Sequence, residues 1–286
     1  MGQFYSNEKY KHLWADDKSP KLVHVTYMEK KASQHPRVLS SSDNFSEIVL
    51  VKDGGGEIYI GDQILQVGPD DLMFYNAGIP HDQRTAPGKP FVRYAVAVTG
   101  FKRPGCRPNC LLPDDIVPVI AAGKLAEPLG QTFELLYNLM AQDCLGNEKT
   151  THYVLQALLA QVDVIVSAKQ NPIVTSEREE IPLATRVRAY MDEHFCDEIS
   201  LQDLADRFNI SSFYLAHIFK KQYGYPPLQY ILRRRIGLAQ TLLITTDLPV
   251  GEIGARVGYA NPSHFNLIFT KNTGTSPRKY RLNYLN

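Results

Sequence analysis

The sequence predicts an α+β chain of two domains: a small antiparallel barrel or jelly roll with appended helices, then an all-α domain of two helical hairpin units. Three observations predict it. Residues 20–100 hold short β-branched runs separated by turn signals. After about Pro113 the apolar residues recur at helical spacing. The last hundred residues contain an internal repeat at an offset of 49 to 50 positions. A length of 286 residues is itself long for a single core.

The strand runs are Glu47–Val51, Glu57–Ile60, Ile64–Val67, Asp71–Tyr75 and Phe91–Val98. Gly54-Gly55-Gly56 and Gly61-Asp62-Gln63 break them as hairpin turns, and no helix pattern follows the triple glycine to make it a phosphate cradle. Short strands with close turns suit a barrel over residues 1–112. From 113 to 170 two helices are expected. Leu129, Phe133, Leu136, Tyr137 and Met140 mark the first, and Val154, Leu158, Val162 and Ile165 the second. Leu155, Leu159 and Val166 widen the apolar face of the second helix, so it needs a partner besides the barrel. A polar stretch bracketed by prolines, 171–182, reads as a linker to the helical domain, 183–286.

Composition narrows the function classes. No run of about 18 apolar residues is evident for a membrane span, and the polar start from Met1 to Trp14 has no signal-peptide core, so a cytoplasmic protein is expected. Cys106, Cys110, Cys144 and Cys196 do not form paired metal-ligand clusters; reduced thiols are expected, with a redox role for the first two left open. The net charge of +1 hides an asymmetry: residues 182–286 carry 13 Lys+Arg against 8 Asp+Glu, while residues 1–181 are net acidic. A basic domain on an acidic body suits nucleic acid, although a solvated basic face would look the same.

The repeat has the requirements of a helix-turn-helix in each copy. Leu204–Ile210 answers to Ile253–Tyr259. After the turn, Leu215, Ile218, Phe219, Lys221, Gly224, Pro227 and Tyr230 answer to Phe265, Ile268, Phe269, Lys271, Gly274, Pro277 and Tyr280. Two helices that cross closely need a small residue at the contact, Ala205 and Gly254. The turn needs a residue that tolerates a left-handed backbone, Asn209 and Gly258. The second helix buries one stripe and leaves the other open. Ser200 is the expected N-cap of the first helix, with Asp203 at the capping-box position.

These segments resemble the DNA-binding domain of the AraC/XylS family from Val187 to Leu282. The closest matches are Ile199–Ala205, His217–Gly224, Arg235–Ala239, Val257-Gly258-Tyr259, Phe265–Phe269, Gly274–Pro277 and Tyr280-Arg281. The resemblance implies a long helix, about Pro227 to Ile244, that holds two recognition helices near one DNA turn apart. It implies a transcriptional regulator, an activator in many relatives, that binds a double-stranded DNA operator as a homodimer, associates with the nucleoid when bound and leaves the membrane alone. The N-terminal half resembles the cupin-like sensor domain through Glu47-Ile48, Gly54–Gly56, Val67–Leu72 and Asn76–Asp82. On that reading 1–112 senses a small-molecule effector, with a sugar the first class to test, and 113–170 dimerises. Many relatives place a His-x-His pair where this chain has Ser40-Ser41-Ser42, so no metal, no cofactor and no catalytic residue are expected. Two alternatives stay open: a DNA-binding regulator without ligand, and a cupin enzyme fused to a DNA-binding module.

The expected base readers are Ser212, Phe213, Ala216, His217, Ser263, His264, Asn266 and Leu267. Few of these are the Arg, Lys, Asn or Gln typical of base readout, so part of the specificity should come from DNA shape. Lys220, Lys221, Lys271, Arg278 and Lys279 are assigned to phosphates, and Arg233, Arg234 and Arg235 partly to internal ion pairs. His24, Arg37, Tyr75, His81 and Arg93 are candidates for an effector pocket.

Overall fold

The computed structural model describes residues 2–5, 19–28, 38–84, 91–103, 105–142, 147–168 and 182–285. Arg37, Cys144 and almost all of the expected linker lie outside them. Contacts divide the chain into two units, Met1–Gln34 with Ser41–Val174, and His35–Ser40 with Thr175–Asn286.

The first unit is a double sheet with two helices. Strands β1 (Gly2–Tyr5), β2 (Lys21–Met28), β3 (Ser46–Gly54), β6 (Asp71–Tyr75), β8 (Phe91–Thr99) and β9 (Val119–Ala121) form one antiparallel sheet in the order β1-β2-β8-β3-β6-β9. Strands β4 (Gly56–Ile60), β5 (Gln63–Val67) and β7 (His81–Arg84) form the second, ordered β5-β4-β7. Alternation along β3 assigns the two cores. Ile48 and Leu50 join Leu72, Phe74, Val96 and Val98 in a core shared with the helices, while Val49 and Val51 join Ile58, Ile60, Met73 and Phe91 in another. The expected strands are all present. β1, β7 and β9 were not legible, and β2 lay in the strand-rich stretch without a run of its own: β1 falls in the polar start, β7 is short and polar, and β9 follows Pro113, where the periodicity turns helical.

Helices α1 (Ala126–Ala141) and α2 (Asn147–Ala168) close the first of these cores with Leu129, Phe133, Leu136, Leu155, Leu158, Val162, Ile165 and Val166. By length and composition α2 could cross a membrane, contrary to the expectation of no such segment. Its apolar stripe, however, packs on α1 and the sheet. A second stripe stays exposed, with Tyr153 at 54% and Val164 at 60%, and Ala157 and Ala160 between them.

The second unit is helical: α3 (Leu183–His194), α4 (Leu201–Arg207), α5 (Ser212–Tyr223), α6 (Pro227–Thr245), α7 (Val250–Arg256), α8 (Pro262–Thr273) and α9 (Pro277–Leu285). The pairs α4/α5 and α7/α8 are the two expected helix-turn-helix units, and α6 joins them. At 19 residues α6 is about 28 Å long. Both predicted turn residues are left-handed, Asn209 at φ 54° and Gly258 at φ 87°. Ala205 and Gly254 are both buried at the helix crossings.

Candidate nucleic-acid interface

The second helix of each unit, α5 or α8, begins with a side-chain cap. Ser211 Oγ accepts from the Tyr214 amide at the start of α5. Asn261 Oδ1 accepts from the Ser263 and His264 amides at the start of α8, at 2.9 and 3.2 Å. The expected capping box on α4 is present: Ser200 Oγ accepts from the Asp203 amide while Asp203 Oδ2 accepts from the Ser200 amide. Behind each recognition helix the buried stripe is Leu215, Phe219 and Tyr223, or Phe265, Phe269 and Thr273. Ile218 and Ile268, expected to be buried with them, are half-buried.

The two units solve the same crossing with complementary sizes. Ala205 stands at the first crossing and Leu215 occupies the position answering to Phe265. At the second crossing a Cβ on Gly254 would lie 3.0 to 3.3 Å from the Phe265 side chain, so the larger ring takes the space that alanine fills in the first copy.

On α5 the exposed side chains are Phe213, Tyr214, His217, Lys220 and Lys221, with Phe213 at 85%. Ser212 and Ala216 are only half-exposed, and the Ser212 hydroxyl donates to Gln202 Oε1 at 2.9 Å. Ser212 is thus partly used in bracing α5 against α4, which the sequence pattern did not reveal. Tyr214 was missed because it directly precedes the buried Leu215, yet half of its surface is open. On α8, Ser263, His264, Asn266 and Leu267 are all exposed as expected, and so are Thr270 and Lys271. Asn266 donates to the Pro262 carbonyl, and the His264 ring meets Tyr259 edge-on at 5.6 Å. Arg278 and Lys279 are exposed at the start of α9.

Two of the three joining-helix arginines have internal roles resolved in detail. Arg234 Nε donates to Asp192 Oδ1 at 2.9 Å, beside a Tyr230 hydroxyl that donates to the same oxygen at 2.8 Å. Of the three, some were expected in internal ion pairs, and Arg234 forms one; the Arg235 guanidinium instead donates to three backbone carbonyls, those of Phe195, Asp197 and Gly258. A Cβ on Gly258 would run into the Cys196 carbonyl, so the turn of the second unit lies hard against the segment before the first.

In the first unit the register explains which pocket candidates meet. His24, Ala97, Glu47 and Tyr75 occupy one row across β2, β8, β3 and β6. Ala97 is small enough that His24 Nε2 reaches Glu47 Oε1 at 3.0 Å. His81 Nε2 lies 3.9 Å from the other Glu47 oxygen, and its ring stacks on Tyr75 with centroids 3.8 Å apart. Burial pushes the Tyr75 phenol well above its ordinary value, which keeps it neutral. Arg93 donates to Gln83 and lies over the Phe91 ring. Three of the five candidates, His24, Tyr75 and His81, therefore meet around Glu47, and Arg93 is near enough for its charge to act on Tyr75; Arg37 lies outside the described residues. Sequence missed the Glu47 partnership of His24 because the two meet only through strand register. Among the described residues no group of three or more His, Cys, Asp or Glu side chains is placed to hold a metal ion.

Comparison with known proteins fits this layout. Residues 24–159 match the family model of the AraC-like ligand binding domain, and residues 204–283 match a helix-turn-helix domain model. The chain is 28% identical over 279 residues to the uncharacterized HTH-type transcriptional regulator YdiP of Escherichia coli K12, covering 96% of this chain and 90% of that protein. It is 27% identical over 145 residues to the HTH-type transcriptional activator RhaS of Klebsiella pneumoniae, which spans 50% of this chain and 52% of that one. Among solved structures, the DNA-binding domain of AdpA in complex with a target DNA is 32% identical, covering 35% of this chain and 91% of that one, with a TM-score of 0.34. The chain belongs to the AraC family of transcriptional regulators, with an AraC-like ligand-binding domain followed by a helix-turn-helix DNA-binding domain.

Proposed function

We propose that α5 and α8 read two successive major-groove segments of one operator. The observation that carries this reading is the duplicated exposed first turn, capped in both copies and backed by a buried stripe. Phe213, His217, Ser263, His264, Asn266 and Leu267 face base edges, joined by Tyr214 and by what remains of Ser212 and Ala216. Lys220, Lys221, Lys271, Arg278 and Lys279 meet phosphates and position the helices. The test is selection from a random duplex pool by the full chain, followed by salt titration. An enriched duplex should bind with an affinity that falls steeply with salt, because each phosphate contact releases counterions. Failure to enrich any duplex at low salt would overturn the reading.

The polar cluster of His24, Tyr75, His81 and Arg93, with Glu47, is the proposed effector site. A carboxylate that accepts, a guanidinium that donates and an aromatic stack suit a polyhydroxylated small molecule such as a sugar. A thermal-shift screen of sugars should raise the melting temperature of the chain and not of Glu47→Gln. No shift with any sugar would favour another effector or a regulator without ligand. The exposed stripe of α2 supports a homodimer, and a DNA-binding regulator of this kind would work in the cytoplasm.

A further inference from the structure

The starts of α5 and α8 are poor in the side chains that hydrogen-bond to bases. From Ser212 to Phe219 and from Pro262 to Phe269 the sequence has no Arg, Lys or Gln, and Asn266 is its only Asn. The polar groups that remain are partly spent inside the protein. The Ser212 hydroxyl donates to Gln202 Oε1, so towards any other partner it can only accept. Asn266 Nδ2 donates to the Pro262 carbonyl at 3.0 Å, which turns the amide back along its own helix and away from the paired contact an Asn makes with adenine.

What these helices present instead is apolar. Among the described residues the two most exposed large hydrophobic side chains are Phe213, at 85%, and Leu267, at 65%. One lies on α5 and the other on α8. Neither belongs to the buried stripe behind its helix, so neither is held out by the packing of its own unit. A phenyl ring and an isobutyl group in water gain by being covered. The charges around them say by what. Lys220 and Lys221 follow on α5, Lys271 on α8, and Arg278 and Lys279 at the start of α9, all exposed. That setting suits a polyanion that carries apolar spots. In the major groove of B-DNA the apolar feature of the base edges is the thymine 5-methyl group.

The two apolar positions do not correspond. At the offset of 50, Phe213 answers to Ser263 and Leu267 to His217. Phe213 follows the first residue of α5, whereas Leu267 stands five residues after the first of α8. The apolar contact thus falls about one helical turn later in the second unit than in the first.

We propose that Phe213 and Leu267 set part of the operator specificity by covering thymine methyl groups, one in each contacted segment. The proposal rests on the DNA-binding reading above. The surrounding cations hold the helices to phosphates whatever the sequence. The ring and the isobutyl group make thymine better than cytosine at one place in each segment, because the cytosine edge carries no methyl.

The experiment uses the full chain and a duplex enriched from a random pool by wild type. Each thymine in turn is replaced by deoxyuridine, which keeps the pairing groups and lacks only the methyl. Affinity is read by competition at one salt concentration. Wild type should lose about 3- to 5-fold at a thymine in each of two segments, the worth of one buried methyl. In Phe213→Ala one of these losses should vanish and the other stay; Leu267→Ala should do the reverse. Both variants should melt with wild type, since both side chains are exposed. Deoxyuridine tolerated by wild type at every thymine would overturn the proposal, whether or not the variants fold. So would an enriched duplex with no thymine in one of the segments, or losses that persist unchanged in folded variants. A wild-type chain that enriches no duplex would instead refute the DNA-binding reading.

Discussion

His217 and Lys220 share the exposed stripe of α5, one turn apart, with Lys220 nearer the C-terminal end. The imidazole near the first turn can address a base edge, whereas the ammonium further along sits where the backbone of a groove would pass. His217→Ala should cost about 1–3 kcal/mol on the selected duplex and little on scrambled DNA. Lys220→Ala should weaken both alike and lower the salt slope by about one. Binding isotherms on both duplexes at several salt concentrations check this; equal losses for His217→Ala would make it a positioning residue. A pH effect belongs to Asp203. The amide and hydroxyl of Ser200 both donate to its Oδ2, at 2.9 and 2.7 Å, and hold its carboxyl below the ordinary value. A depressed folded value gives stability that is complete above the unfolded value, about 3.9, and is lost as pH falls through the folded one. Urea midpoints from pH 6 down to pH 2 should fall less steeply for Asp203→Asn than for wild type. The cap was legible in the sequence because capping is local. The Ser212–Gln202 brace and the His24–Glu47 pair were not, because each depends on tertiary register.

At the scale of elements, the repeat was legible because both copies obey the same crossing and turn chemistry: a small residue at Ala205 and Gly254, a left-handed one at Asn209 and Gly258. The length of α6 came from the family resemblance, which implied a helix from about Pro227 to Ile244 where the chain forms one over Pro227–Thr245. Strand β7 was not, since His81-Asp82-Gln83-Arg84 has no apolar alternation and earns its place only by pairing with β4. The size exchange between the two crossings gives a sharp test. Gly254→Ala should destabilise the second unit by about 1–3 kcal/mol through overpacking against Phe265. Adding Phe265→Leu, which copies the first unit, should recover part of that loss. A double-mutant cycle measures the coupling; strictly additive losses would mean the two residues do not share the space.

For the whole molecule, the two-domain plan was readable from composition and period, but the return of Val38–Ser40 to the helical unit was not, since nothing local marks it. The exposed stripe of α2 should make the chain a dimer. Val164→Glu should shift sedimentation at micromolar concentration towards monomer without lowering the melting temperature, because Val164 is already 60% exposed. A monomeric wild type would count against it. Arg235 has a consequence for the operator itself. A guanidinium that ties Phe195 and Asp197 to Gly258 makes the helical domain a ruler, with the reach between α5 and α8 set by the protein. B-DNA turns once in about 10–10.5 base pairs, so a ruler of fixed reach reads a fixed phase. Five base pairs inserted between the two contacted segments would carry one of them to the far side of the duplex. Ten would bring back the face but place it beyond the ruler. Both insertions should leave only the affinity of a single unit, whereas loosely hinged units would recover at ten.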